Sequence, residues 1–312
     1  MNNLILSFNV VLPTFLIIFL GYFLRRIKLF DDKTLKVMNN VTFKSFLPIL
    51  LFYNVYKTDL KEGINLKLML FAAISIIVSF LALCIIIPLI EKENKKRGVL
   101  IQAIFRSNFV LFGLPITISL FGDECSGITA ILISVIVPIF NLLAVVDLEI
   151  FRGGKINLKN IFKGIVTNPL IIASALGIIS LILNIKLPKV LENTISDVSK
   201  VATPLALVIL GGSFTFKSVV GYKKQLIIGC FGRLVGIPAI FIPIAVLMGF
   251  RGVELGTLLT MFCAPTAVSS YTMAEQMGGD SELAASLVVF GSSFAIITFF
   301  LWIFIVKSLG YI

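Results

Sequence analysis

The 312-residue chain contains no histidine. That removes imidazole acid–base chemistry, the common haem ligand and the usual zinc sites. It has four cysteines. Cys84, Cys230 and Cys263 fall in apolar stretches and Cys125 in a short turn, so one exposed thiol has no partner and no disulfide is expected. Charge is scarce: Asp, Glu, Lys and Arg make up 14% of the residues, and only 16 are acidic. Asp147, Glu149 and Glu275 lie near the ends of apolar stretches, and no Asp or Glu lies near a centre. No buried carboxylate is therefore expected to bind sodium or relay protons. No phosphate-binding P-loop is present, which argues against a chain that pumps by hydrolysing nucleotide alone. Rhomboid-type proteolysis lacks its histidine. The Gly278-Gly279-Asp280 run sits in a loop and has no second intramembrane aspartate to make an aspartyl protease. No stretch is long and polar enough for a soluble domain.

What fills the chain is apolar: 58% of residues, including 28 Phe, with mean hydropathy +1.06. A bilayer core demands roughly 20 consecutive apolar residues per helix. The pattern predicts ten spans, over 8–24, 35–56, 67–90, 98–120, 127–149, 161–183, 198–215, 224–249, 254–275 and 284–306. The first is expected to be a retained span, because it lacks a basic n-region and a small-residue cleavage site.

The net charge of +11 raises the question of nucleic acid, but the cations follow alternate spans. Arg25, Arg26, Lys28, Lys33 and Lys36 come after span 1, and Lys92, Lys95, Lys96 and Arg97 after span 3. Arg152, Lys155, Lys159 and Lys163 follow span 5, and Lys217, Lys223 and Lys224 follow span 7. These loops share one side, which the positive-inside rule makes cytoplasmic. Both termini are then extracellular. The cations read as topology signals, and no nucleic-acid partner is expected.

The chain also repeats itself. Pro13 and Gly21 in VLPTFLIIFLGYFL recur as Pro169 and Gly177 in TNPLIIASALGIIS, at the same spacing. Pro48 in FLPILLF follows Pro13 as Pro204 in TPLALVI follows Pro169. Pro115 in FGLPITI pairs with Pro265 in CAPTAVS after a small shift of register. Residues 1–156 and 157–312 thus read as two five-span repeats. An odd number of spans per copy inverts the second relative to the first, the architecture of secondary transporters.

Proline inside spans 4 and 9 predicts an interruption of each at Pro115 and Pro265. Backbone groups freed at membrane depth must then be satisfied by protein or by a wet cavity. Because the two spans run in opposite directions, two half-helix N-termini meet near the midplane. Each carries about half a positive charge and free amides. Together they suit a small anion, most simply a carboxylate.

At these motifs the chain resembles the auxin efflux carrier family, which comprises bacterial organic-acid permeases and the plant PIN-formed and PIN-like auxin carriers. The resemblance is carried by FLPILLF (46–52), SNFVLFGLPI (107–116), ATPLALVILGGSF (202–214) and APTAVSSYTMAEQMGGDSELAAS (264–286), and covers essentially the whole chain. It implies an all-α polytopic membrane protein of ten transmembrane helices in two inverted five-helix repeats, with helices 4 and 9 crossing at their prolines. Helices 1, 2, 6 and 7 would form a scaffold, often dimeric, and helices 3–5 and 8–10 a mobile transport domain working as an elevator. Family substrates are carboxylates such as malate, malonate or auxin-like acids. The implied partners are a small organic acid, membrane lipid, a second copy in a homodimer, and proton or sodium if transport is coupled; no cofactor or metal is implied. The sequence departs from the family in helix 10, where VVFGSSFAIITFFLW lacks the usual Ser-Thr-Leu-Leu-Ser run and Leu-Pro.

The candidate substrate-binding set is Asn108, Ser107, Gly113, Pro115, Asn141, Pro265, Thr266, Ser269, Tyr271 and Lys44. Asn108 stands about two turns before Pro115, where the resemblance places a crossover asparagine; it either contacts ligand or bonds between helices. Thr266, Ser269 and Ser270 either line the site or cap backbone freed by Pro265. Asn141, after Pro138, can face span 4, and Tyr271 can form a cavity wall. Lys44, Arg106 and Arg233 are the deepest cations. Lys44 either attracts anions or pairs with a carboxylate. Arg106 is close enough to the cytoplasmic edge to snorkel. Arg233 pairs with Glu254 or with backbone carbonyls. The leading expectation is a secondary carrier of small organic anions; the alternatives are a channel or a non-transporting receptor on a carrier fold.

Overall fold

A computed structural model of the chain describes residues 2–58, 65–122, 126–152, 158–214 and 221–312. Cys125, Lys155 and Lys217 lie outside the described residues. The described residues are helical except for short links and one isolated bridge. The helices are α1 Asn2–Arg26, α2 Asp32–Val41, α3 Leu47–Tyr56, α4 Leu66–Ile90, α5 Asn94–Phe105, α6 Phe109–Phe121, α7 Ser126–Ile150, α8 Leu158–Thr167 and α9 Pro169–Ile182. They continue as α10 Lys189–Ser213, α11 Lys223–Phe231, α12 Ile237–Leu247, α13 Gly252–Cys263, α14 Ser269–Met277 and α15 Ser281–Ser308.

Among the described residues, five helices are long and apolar enough to cross a bilayer: Leu66–Ile90, Gly127–Ile150, Lys189–Ser213, Lys223–Leu247 and Ser281–Ser308. Their outward faces carry side chains such as Leu89 and Leu247, 80% and 85% exposed. An apolar surface of this extent fits lipid and not water. The chain is a polytopic membrane protein.

The predicted spans 35–56, 98–120, 161–183, 224–249 and 254–275 are each divided. Local chemistry explains three of the divisions. Asn168 caps α9, its Oδ1 accepting from the Leu170 amide at 2.9 Å, and Pro169 takes the first helical position. Between α2 and α3 runs a π-helical turn, Thr42–Phe46; a second, Gly232–Gly236, joins α11 to α12. Each precedes a helix with proline at its second position, Pro48 and Pro238. Proline cannot donate to the carbonyl four residues back and crowds it, and a widened turn relieves both problems.

For Pro238 that orphan carbonyl is Leu234, and the sole tryptophan takes it: Trp302 Nε1 donates at 3.0 Å. Trp302→Phe should therefore cost about 1–3 kcal/mol, since Leu234 is buried and its carbonyl would be left without a partner. Unfolding in detergent should show this loss, while Phe304→Leu on the exposed side of the same helix should change little.

α1 packs along α10 and α3 along α9, with α10 also against α3. Both main contacts run through glycine. A Cβ on Gly21 would fall 2.0 Å from the Val208 carbonyl oxygen, and one on Gly177 3.0 Å from the Val55 side chain. The remaining helices interlock around α5, α6, α13 and α14. Phe105, the last residue of α5, packs edge-on against Phe80 at 5.4 Å, and Phe262 stacks on Phe241 at 5.2 Å. These ring pairs pin the C-terminal ends of α5 and α13.

Candidate functional site

α5 stops at Phe105 and α13 at Cys263, and the residues that follow are extended: Arg106 has φ −91°, ψ 113° and Ala264 φ −59°, ψ 139°. The two linkers cross as a short antiparallel bridge between Ser107 and Thr266. The Asn108 amide donates to the Pro265 carbonyl at 2.7 Å, and the Ala267 amide to the Arg106 carbonyl at 3.4 Å. Thr266 Oγ1 donates to the Ala103 carbonyl, an orphan of the last turn of α5, at 2.8 Å. Backbone freed by each break is thus satisfied by the other.

This geometry corrects the expected position of the first interruption. Pro115 lies inside α6, about two turns beyond the break. One missing amide leaves that helix intact, whereas the real break at Arg106–Asn108 is held by hydrogen bonds to a segment distant in sequence. At the second break proline does act locally, because Pro265 drives the preceding Ala264 out of the helical region. Pro115 and Pro265 are therefore not structural equivalents.

On one side of the crossing sit the carbonyl ends of α5 and α13. Five of the terminal carbonyls point at Arg233, which is 2% exposed. Its Nε donates to Ala264 O at 2.7 Å, Nη1 to Ile104 O and Phe105 O at 3.1 and 3.2 Å, and Nη2 to Met261 O and Phe262 O at 2.8 Å each. The backbone carbonyls, and not Glu254, are its partners. Glu254 instead accepts from Asn65 Nδ2.

On the other side the N-termini of α6 and α14 border a cavity of about 350 Å³. One wall is Leu47, Leu50, Leu51 and Asn54 of α3, Leu170 of α9, and Thr203 and Ala206 of α10. The other is Arg106, Ser107 and Asn108, then Val110, Leu111 and Pro115 of α6, then Val137, Phe140 and Asn141 of α7, then Ala267, Val268 and Ser269. Arg106 is 4% exposed; its Nη2 donates to Asn141 Oδ1 at 2.6 Å and its Nη1 to Ser270 Oγ at 3.2 Å. Among the described residues no carboxylate pairs with it. Among the described residues that line the cavity, four buried groups that can donate have no partner: Asn54 Nδ2, Ser107 Oγ, Asn108 Nδ2 and Asn141 Nδ2. Because Asn141 gives its oxygen to Arg106, its NH2 is left as a free donor.

Of the residues singled out in the sequence, Ser107, Asn108, Pro115, Asn141 and Ser269 line this cavity. Pro265 and Thr266 form the crossing itself and do not face it. Gly113 makes room for a ring: a Cβ there would lie 2.6 Å from Phe109. Lys44 is exposed on the π-helical turn, away from the cavity. Tyr271 points elsewhere, donating to Ser213 Oγ at 2.6 Å beside a second cavity of about 920 Å³ that Arg25, Arg26, Lys28 and Lys36 border.

Sequence reasoning left Arg106, Asn54 and Thr203 out of the set. Arg106 does not snorkel, because α7 and α14 close over it. The signal for Asn54 was a lone amide in an apolar span. The expectation of no buried carboxylate also fails at Asp147, which is 0% exposed with neither oxygen hydrogen-bonded. It lies near the end of α7, but α4, α5 and α8 pack against that helix.

The chain matches the membrane transport protein family over residues 6–163 and 154–303. An uncharacterized transporter of Methanocaldococcus jannaschii is 24% identical over 301 residues, covering 94% of this chain and 97% of the relative. An uncharacterized transporter of Methanothermobacter thermautotrophicus is 24% identical over 302 residues, covering 95% and 97%. The role is transport across a membrane, and the resemblance read from the crossover motifs is to the same group: the chain belongs to the membrane transport protein family, that of the auxin efflux carriers.

Proposed function

We propose that the protein is a secondary carrier of small organic anions and that the crossover cavity binds the substrate's carboxylate. One observation carries this reading: a buried guanidinium without a counter-carboxylate shares a cavity with four unpartnered donors. A buried cation with only neutral partners at membrane depth is costly, and so are unsatisfied donors. A carboxylate relieves both at once, accepting from Arg106 and from two or more of Asn54, Ser107, Asn108 and Asn141. The N-termini of α6 and α14 add partial positive charge at the same place.

The cavity lies between α3, α9 and α10 on one wall and the crossover helices on the other. Displacing one group past the other would carry the site with it, which is the elevator motion. Ten spans in two inverted repeats, 1–156 and 157–312, with both termini extracellular, complete the proposal. It is supported by the two reciprocal helix breaks and by the paired glycine contacts of α1 on α10 and α9 on α3.

Calorimetric titration of purified protein with mono- and dicarboxylates, malate and malonate among them, tests the reading when each acid is paired with its isosteric amide. The acid should bind, and the amide should lose most of the affinity. Asn108→Ala should weaken the acid by about 1–3 kcal/mol, leaving a buried charged group one hydrogen bond short. An amide or an amine that bound as well as the acid would rule out an anion site. Counterflow in proteoliposomes separates a carrier from a channel or a receptor.

A further inference from the structure

α5 and α13 both end at the crossover, and both aim their last carbonyls at Arg233. A helix C-terminus carries about half a negative charge, so two converging ends amount to about one. The guanidinium opposes that charge, and five donors in a planar fork match the five carbonyl contacts, which the three donors of a lysine cannot do. No described carboxylate shares the position. The π-helical turn before Pro238 carries this residue, and Gly232 beside it lets α5 approach, since a Cβ there would lie 3.1 Å from Ile104.

The anion cavity begins within a few residues of these carbonyls. Phe105 gives its carbonyl to Arg233, and the next residue, Arg106, faces the cavity. Ala264 does the same at the second break, and Ala267 lines the cavity. Two negative helix ends and two positive ones therefore stand back to back, one linker apart. Left uncompensated, the negative ends would oppose the attraction that the N-termini and Arg106 exert.

We infer that Arg233 is a positioning residue: its charge cancels the two helix C-termini and so sets the anion affinity of a cavity it does not touch. The inference rests on the anion reading above. Arg233→Lys keeps the charge and loses the fork, whereas Arg233→Gln loses the charge. Acid affinity in Arg233→Lys should stay within about three-fold of wild type while Arg233→Gln falls at least about ten-fold, with unfolding temperatures lowered alike in both. A purely structural arginine would instead lose acid affinity equally in the two variants, and that result overturns the inference. If Arg233→Gln does not fold, Arg233→Met takes its place: a fall of about ten-fold or more beside a near-unchanged Arg233→Lys supports the charge role, and near-wild-type affinity in both variants ends it. Wild-type protein that binds acid and amide equally would sink the anion reading itself. A wild type that prefers the acid, with both variants losing it alike, would sink only the role given to Arg233.

Discussion

Replacing Arg106 with glutamine should weaken carboxylate binding by about 2–5 kcal/mol, the usual range for removing one partner of a buried, hydrogen-bonded charge pair. That is the largest effect expected of any side chain lining the cavity. Stability should move the other way or not at all. Without substrate Arg106 has neutral partners only, Asn141 and Ser270, and its charge is uncompensated. Glutamine removes a buried charge while keeping a hydrogen-bonding end. Unfolding temperature in detergent should therefore hold or rise as affinity collapses, a split that a merely structural arginine would not produce. Arg106→Lys should fall between, because an ammonium cannot reach Asn141, Ser270 and a ligand in one planar arrangement. Titration of Arg106→Gln that matched wild type would place the carboxylate outside this cavity.

Gly211→Ala should be the most damaging glycine-to-alanine substitution among the described residues. A Cβ there would fall 1.9 Å from the Ile18 carbonyl oxygen, which is backbone and cannot swing aside. Across the same contact, Gly21 would meet Val208 O at 2.0 Å. α1 and α10 thus touch backbone to backbone through small residues, which is how membrane helices gain contact without a hydrophobic drive. Separating them to admit a methyl group should cost about 3 kcal/mol or more, beyond the usual range for overpacking because no rotamer change relieves it. Gly221, with nothing within 4 Å of its would-be Cβ, is the matched control. Unfolding curves of the two alanine variants check this, and a Gly211→Ala protein as stable as Gly221→Ala would refute the contact.

How much of this was legible in the sequence follows from how local each cause is. Hydropathy places helices because a bilayer tests each segment separately. The cap at Asn168 and the proline-linked turns before Pro48 and Pro238 depend on residues within one or two turns. Pro265 announced the second break for the same reason, a helix breaker in an apolar span, whereas the first was expected at Pro115 and Asn108 was tied to the crossover only by the family resemblance.

Tertiary structure decided the rest. The break at Arg106–Asn108 carries no proline, so only its pairing with Pro265–Ala267 reveals it. Arg106 and Arg233 look alike in sequence. One meets a cavity and the other five carbonyls, because different helices close over them. Lys44 turns outward and Tyr271 reaches Ser213 instead of the cavity. Asp147 is buried by neighbours that its own helix does not encode. The sequence by itself determined that the chain is apolar and helical enough for a polytopic membrane protein, and that Pro265 ends a helix, since those are properties of single segments. Which disturbed residues share a cavity was settled only by the packing of helices distant along the chain, because at membrane depth a polar group is satisfied by whatever the fold brings beside it.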